Sequence, residues 1–240
     1  MAKAIFNFPG MRISGKLNGI VYKIRNGKMY ASAPPVRTSK PSENELSVRN
    51  NFSFASKLTC SLQKAAHSDE AWRNQVKKSQ TVYNAIFSGA FKMIHKNDIT
   101  HYFSVYPNFA IRLDEDSVKI EEGCIKASLK NCDLVNNARN PFEYVQMSLV
   151  VYCKEPLQRV IPDKLFINLN SKVRSVSQNG TFDFDINLFG DSPLGECFSD
   201  SEEALYSSYD NHTYFIAFTA LNGDKEYVDH TETLSFINIR

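Results

Sequence analysis

Five histidines (His67, His95, His101, His212 and His230) and five cysteines (Cys60, Cys124, Cys132, Cys153 and Cys197) are the residues of this 240-residue chain best suited to nucleophilic or metal chemistry. Their spacing does not organise them for it. No histidine stands at metal-ligand spacing from a second His or Cys, and His95 and His101, six residues apart, straddle a predicted helix end. Cys–His nucleophilic catalysis would need distant residues to converge, and nothing in their order argues for it. The cysteines are odd in number and include no C-x-x-C pair. They read as reduced thiols, most of them filling core, which suits synthesis in a reducing compartment. The acidic clusters Asp114-Glu115-Asp116 and Asp200, Glu202, Glu203 lack the spacing of a calcium loop and read as solvated turns. Asn179-Gly180-Thr181 and Asn211-His212-Thr213 match the glycosylation sequon; without export they mark only exposed turns. The expectation is therefore a non-enzymatic protein with no catalytic residue, cofactor or metal.

The remaining residues with a chemical bias are basic. Lys16, Lys23, Arg25, Lys28, Arg37 and Lys40 lie in or beside a stretch where "GIVYKIR" and "KMYASA" flank Asn26-Gly27. Such a two-residue link lets both central positions take positive φ, which matches the twist of a type I′ hairpin. Ile20, Tyr22 and Ile24 alternate with Val21, Lys23 and Arg25, giving one apolar face and one mixed basic face. Tyr22 and Tyr30 are interleaved with the cations, as on a surface that tracks phosphates and stacks bases. Two other readings stay open, namely a docking surface for protein and a solvated edge guarded by lysines. The candidate interaction residues are Lys16, Ile20, Tyr22, Lys23, Arg25, Lys28, Tyr30 and Arg37.

The charge layout sets this region in context. Residues 1–100 carry 16 Lys and Arg against 5 Asp and Glu, and residues 101–240 carry 12 against 21, so a net charge of +2 conceals a basic and an acidic part. Either the two parts attract within one molecule, or the basic part meets nucleic acid or an acidic neighbour. Ser42 and Glu45 form an S-x-x-E capping box ahead of Leu46, Phe52, Ala55, Leu58 and Leu62, which predicts a helix from about Ser42 to Ala66. Ser68 with Asp69 and Glu70 opens a second, in which Trp72, Val76, Tyr83, Phe87, Ala90 and Ile94 form one stripe to about Lys96. The short link makes an antiparallel helical hairpin. Beyond His101 the period becomes two. Seven strand-like runs follow, with "NPFEYVQMSLVVYC" and "HTYFIAFTAL" expected at the centre of a sheet. The expected architecture is α+β: a basic hairpin and two-helix region over 1–99, then an acidic, antiparallel, immunoglobulin-like β-sandwich over 100–240.

Together, "GKLNG" (Gly15 to Gly19), "NGKMYASAPP", "RTSKPSENELSVRNNFSFASKL", "YPNF" before a strand and the closing "YFIAFTALNGDKEYVDHTETL" resemble an uncharacterised Bacteroidota family, a domain of unknown function. Leu17 and Asn18 depart from its glycine-rich opening, and Lys23 stands where an aromatic is frequent. The resemblance implies no catalytic residue.

No run approaches the roughly 20 apolar residues of a spanning helix, and "MAKAIFNFPGM" has no apolar signal core before Pro9. The chain is expected to be made in the cytoplasm without a signal peptide, with a particle or the extracellular space as possible destinations. The function expected is a structural subunit of a phage, a phage-like particle or another repeating assembly. Its partners would be other copies or neighbouring structural proteins. A nucleic-acid-binding protein using the basic part is the alternative, and an exported adhesin-like module the third.

Overall fold

A computed structural model of the chain describes residues 4–6, 15–25, 28–34, 40–96, 98–99, 103–107, 111–113, 117–121, 123–130, 142–159, 161–175, 181–189 and 196–239. The chain is α+β, and it condenses into two units, Met1–Leu46 and Ser47–Arg240.

The first unit is a four-stranded antiparallel sheet. It comprises β1 (Ala4–Phe6), β2 (Gly15–Leu17), β3 (Ile20–Arg25) and β4 (Lys28–Ser32) in the order β1-β4-β3-β2. The expected β3–β4 hairpin is present, with Arg25 opposite Lys28 and so two residues between the strands. A second Asn-Gly pair, Asn18-Gly19, turns β2 into β3 with φ of 48° and 75°. Positive φ at both positions is the type I′ requirement, so the flanking strand was written in the sequence as plainly as the hairpin.

The second unit starts inside α1 (Glu43–Leu62). The predicted box caps this helix: the Ser42 N–H donates to Glu45 Oε2 at 3.0 Å and the Glu45 N–H donates to Ser42 Oγ at 3.3 Å. The second predicted helix is two helices, α2 (Ser68–Arg73) and α3 (Val82–Lys92). Ser79 takes φ 70°, incompatible with a continuous helix, and Thr81 Oγ1 accepts from the Asn84 N–H at 3.2 Å, starting α3 afresh. A two-residue ribbon, β5 (Ile94–His95) with β6 (Asp98–Ile99), follows. The boundary expected near residues 97–100 thus falls within the second unit, where the helices share a core with the sheet.

Two sheets make the rest. A three-stranded sheet has the order β12 (Thr181–Asn187), β8 (Cys124–Lys130), β7 (Val118–Glu121). The large sheet runs β10 (Lys164–Asn170), β9 (Tyr144–Pro156), β13 (Tyr209–Leu221), β14 (Tyr227–His230). Here β11 (Arg174–Ser175) also pairs with β9, and β15 (Leu234–Ile239) with β13. The expected central strands are β9 and β13, paired from Tyr209 opposite Pro156 to Leu221 opposite Tyr144.

Alternation along β9 explains the layering. Val145, Met147, Leu149, Val151 and Cys153 pack with Ile125, Ala127, Phe184 and Ile186 of the small sheet, as in a sandwich. Val150 and Tyr152 face the other way and pack with Phe54, Leu58 and Trp72 of the helices. β13 divides alike, with Tyr214, Ile216 and Phe218 on one side and Phe215 and Ala217 on the other. The sheet pair therefore carries a helical third layer, which a two-layer sandwich lacks. A short helix, α4 (Asp200–Ser207), adds Tyr206 to the inter-sheet core.

The helical layer leaves no slack around Trp72, which is 4% exposed. A Cβ placed on Gly89 of α3 would lie 2.6 Å from Trp72 Cη2. Alanine normally gains about 1 kcal/mol over glycine in a helix, but overpacking a filled core costs about 1–3 kcal/mol. Gly89→Ala is therefore expected to destabilise the protein, read as a lower urea midpoint by the fluorescence of Trp72, the single tryptophan.

Candidate functional site

Register decides which basic residues share a face, because residues directly opposite on antiparallel strands project to the same side. Lys23 stands opposite Tyr30, and Lys16 opposite Val21, which has the parity of Lys23. Lys16, Lys23 and Lys28 are exposed and Tyr30 is half-buried. Tyr22 stands opposite Ala31 and Ile24 opposite Met29, so these occupy the reverse side with Ile20. The candidate residues accordingly divide: Lys16, Lys23, Lys28 and Tyr30 come together, while Ile20 and Tyr22 belong to the apolar face. Arg25 lies in β3, opposite Lys28. Arg37 lies outside the described residues.

Each face has an energetic peculiarity. On the basic side Lys23 stands opposite Tyr30, a cation beside an aromatic ring across the strands. On the apolar side Met29 and Ala31 are each 9% exposed and are the buried hydrophobics among the described residues of this unit. Ile20 and Ile24 remain 39% and 38% exposed. A sheet this short gains little from so small a core.

In the second unit the polar groups inside the core act as fasteners. The Tyr106 hydroxyl donates to the Ala66 carbonyl at 2.6 Å and lies 2.9 Å from Ser148 Oγ, while Asn170 Nδ2 donates to the Lys64 carbonyl at 2.8 Å. These bonds tie the end of α1 to β9 and β10. Tyr152 Oη donates to Asp98 Oδ1 at 2.8 Å, and Lys154 Nζ lies 3.5 Å from Asp98 Oδ2. Burial pushes the Asp98 carboxyl up, but the bonds from Tyr152 and the Ile99 N–H, with Lys154 and Lys164 nearby, outweigh it and leave the group more acidic than usual. Burial raises the Tyr106, Tyr152 and Tyr227 hydroxyls, and pushes the Cys153 thiol up to about 12. Protonated at neutral pH, Cys153 is a poor nucleophile. Arg174 and Glu196 meet at 2.6 Å, and Glu196 also accepts from the Lys172 N–H, closing the loop before β11 onto residue 196.

Two of the histidines, His212 and His230, are held by backbone, and His101 lies outside the described residues. His212 Nε2 lies 2.9 Å from the Tyr206 carbonyl, and His230 Nε2 lies 2.6 Å from the Pro107 carbonyl. Because a carbonyl only accepts, His230 carries its proton on Nε2, and Nδ1 accepts from the Tyr227 hydroxyl. Among the described residues no group of three His, Cys, Asp or Glu could hold a metal ion. Of the described cysteines only Cys153 is buried, whereas Cys60 is exposed and Cys124 and Cys197 are half-buried, so core filling describes one of the four. Asn211, expected in an exposed turn, is an 8% exposed residue of β13, because the central strand starts earlier than the sequon suggested. Asn179 lies outside the described residues.

A scan against protein-family models and a search of curated proteins match nothing to this chain.

The buried His230 ring makes stability depend on pH. Burial lowers its pKa below the ordinary 6.5, against smaller opposing contributions from Pro107 and Asp229. The unfolded chain thus takes up a proton first as pH falls, and stability is lost from about pH 6.5 downwards until the folded ring also titrates. Urea midpoints at a series of pH values should decline over that window in the wild-type protein. His230→Gln should be less stable at pH 8, with that part of the decline removed.

Proposed function

We propose that this protein is a non-enzymatic structural subunit, made for a phage, a phage-like particle or another repeating assembly, and that its N-terminal sheet is the docking element. The observation that supports this most directly is the poorly covered apolar face, with Ile20 and Ile24 more than a third exposed over a core of Met29 and Ala31. A neighbouring molecule that covered this face would supply the burial the sheet lacks, at about 25 cal/mol for each Å² of apolar surface removed from water. On this reading other copies or adjacent structural proteins are the partners, and the resemblance to the Bacteroidota family points to a bacterial or phage setting without adding an activity. No described helix is long and apolar enough to cross a membrane, so a helical membrane anchor forms no part of the proposal.

Light scattering across a concentration series is expected to show the full-length protein above monomer mass, and Ile20→Asp with Ile24→Asp to return it to monomer. Both side chains are already partly exposed, so thermal unfolding of the larger unit should be unchanged. A wild-type protein that stays monomeric at every concentration and salt would end this reading.

A second reading is favoured by one observation, that Lys16, Lys23, Lys28 and Tyr30 share one face of the sheet, with Lys23 directly opposite Tyr30. Residues 1–46 carry 8 Lys and Arg against 2 Glu, so this face suits a polyanion. If nucleic acid is its partner, DNA affinity should fall steeply with salt, and Lys23→Ala or Lys28→Ala should each reduce the slope of log K against log salt by about one. Under the assembly reading only weak, sequence-independent binding is expected.

A further inference from the structure

The large sheet ends in an open strand beside a helix. Among the described residues β10 pairs with β9 alone, so its other edge presents backbone N–H and C=O groups without strand partners. α1 packs on β10 through Phe54 and Phe166, and the two are tied by Ser61 Oγ, which donates to Asn168 Oδ1 at 2.8 Å, and just beyond the helix by Asn170 Nδ2, which donates to the Lys64 carbonyl. Between helix and strand lies a groove of about 610 Å³ lined by Phe52, Lys57, Lys64, Lys164 and Phe166 among others.

Three features define what fits there. The groove is walled by an open strand edge, which recognises an extended polypeptide through the regular spacing of its N–H and C=O groups. It is apolar in part: Phe52 is 56% exposed, and its ring lies 4.7 Å from that of Phe87. It is also basic, with Lys57, Lys64 and Lys164 among its lining residues, of which Lys164 already faces Asp98 and Asp163. Lysines on an edge strand can serve merely to repel unwanted pairing, but Lys57 belongs to α1 and Lys64 to the turn just beyond its end, and both line the groove.

We propose that this groove receives an extended, acidic segment of a partner protein, which adds to β10 as a further strand of the large sheet, with alternate apolar side chains near Phe52 and Phe166 and alternate carboxylates near Lys57 and Lys64. The seven residues of β10 allow a segment of about six or seven residues, at roughly 3.3 Å each. A nucleic acid would meet the same lysines, but it has no ladder of N–H and C=O groups to match the strand edge.

The test uses the full chain and three fluorescein-labelled probes: the peptide EVEIEVE, its counterpart KVKIKVK, and an oligothymidylate. Anisotropy should show the acidic peptide binding at least about tenfold more tightly than the basic one, with affinity falling as salt rises. Lys57→Glu with Lys64→Glu should weaken it at least about tenfold. Both side chains are exposed, and circular dichroism should confirm that the fold is kept. Phe52→Ser should weaken the acidic peptide too. Hydrogen exchange should slow at alternate amides of residues 164–170 when this peptide binds. The proposal is overturned if the peptides bind equally, if charge reversal changes nothing, or if β10 exchange is unaffected. It is also overturned if the oligothymidylate is preferred, or if the groove is closed by a second copy, seen as self-association that the double variant removes.

Discussion

The pairing of β9 with β13 is the constraint on which the larger unit depends. These two long strands lie side by side from one end to the other, and the small sheet covers one of their faces while the helices cover the opposite one. A strand buried on both faces has no solvent side on which to place polar residues, which is why both read as near-continuous apolar runs rather than clean alternations. The polar exceptions are therefore costly unless bonded. Ser148 shows the solution: it lies in the middle of β9, fully buried, and its hydroxyl meets Tyr106, the Ala66 N–H and Asn170. The bond that satisfies the strand also fixes where the helix α1 ends.

The same logic accounts for the buried tyrosines and histidines. Tyr106, Tyr152 and His230 sit at seams between layers, and each spends its polar atoms on a group from another element: Ala66, Asp98 and Pro107 respectively. Groups held in this way are poor candidates for chemistry, since their hydrogen-bonding capacity is committed and burial opposes their ionised forms. Among the described residues, unspent hydrogen-bonding capacity lies at margins such as the outer edge of β10.

Much of this was legible beforehand because it is local. The Ser42–Glu45 box, the Asn-Gly links and the apolar runs of β9 and β13 each act within a few residues, and physical preference over that span is carried by side chains adjacent in the chain. The split between Ile20, Tyr22, Ile24 and the lysines of the hairpin is equally local, since alternation along a strand is a property of the backbone. Where the reading went astray, a local signal was overlooked or outvoted. Asn18-Gly19 marks β2 as clearly as Asn26-Gly27 marks its neighbour. The apolar stripe through Trp72, Val76 and Tyr83 concealed the turn at Ser79: Trp72 and Val76 do reach the helical core, but α3 meets that core with Val82, Ala85, Ile86 and Ala90 rather than Tyr83.

What the sequence determined by itself is which segments become helix or strand, which face of each is apolar, and where charge is concentrated, because these follow from neighbours along the chain. It could not determine that the helices share a core with the large sheet, or that Asn211 lies inside rather than on a turn. Nor could it bring Lys57 of α1, and Lys64 just beyond that helix, beside Lys164 of β10, a hundred residues or more along the chain. Those are outcomes of packing. Burying the second face of β9 and β13 requires a layer from elsewhere in the chain, and the position of that layer creates the groove.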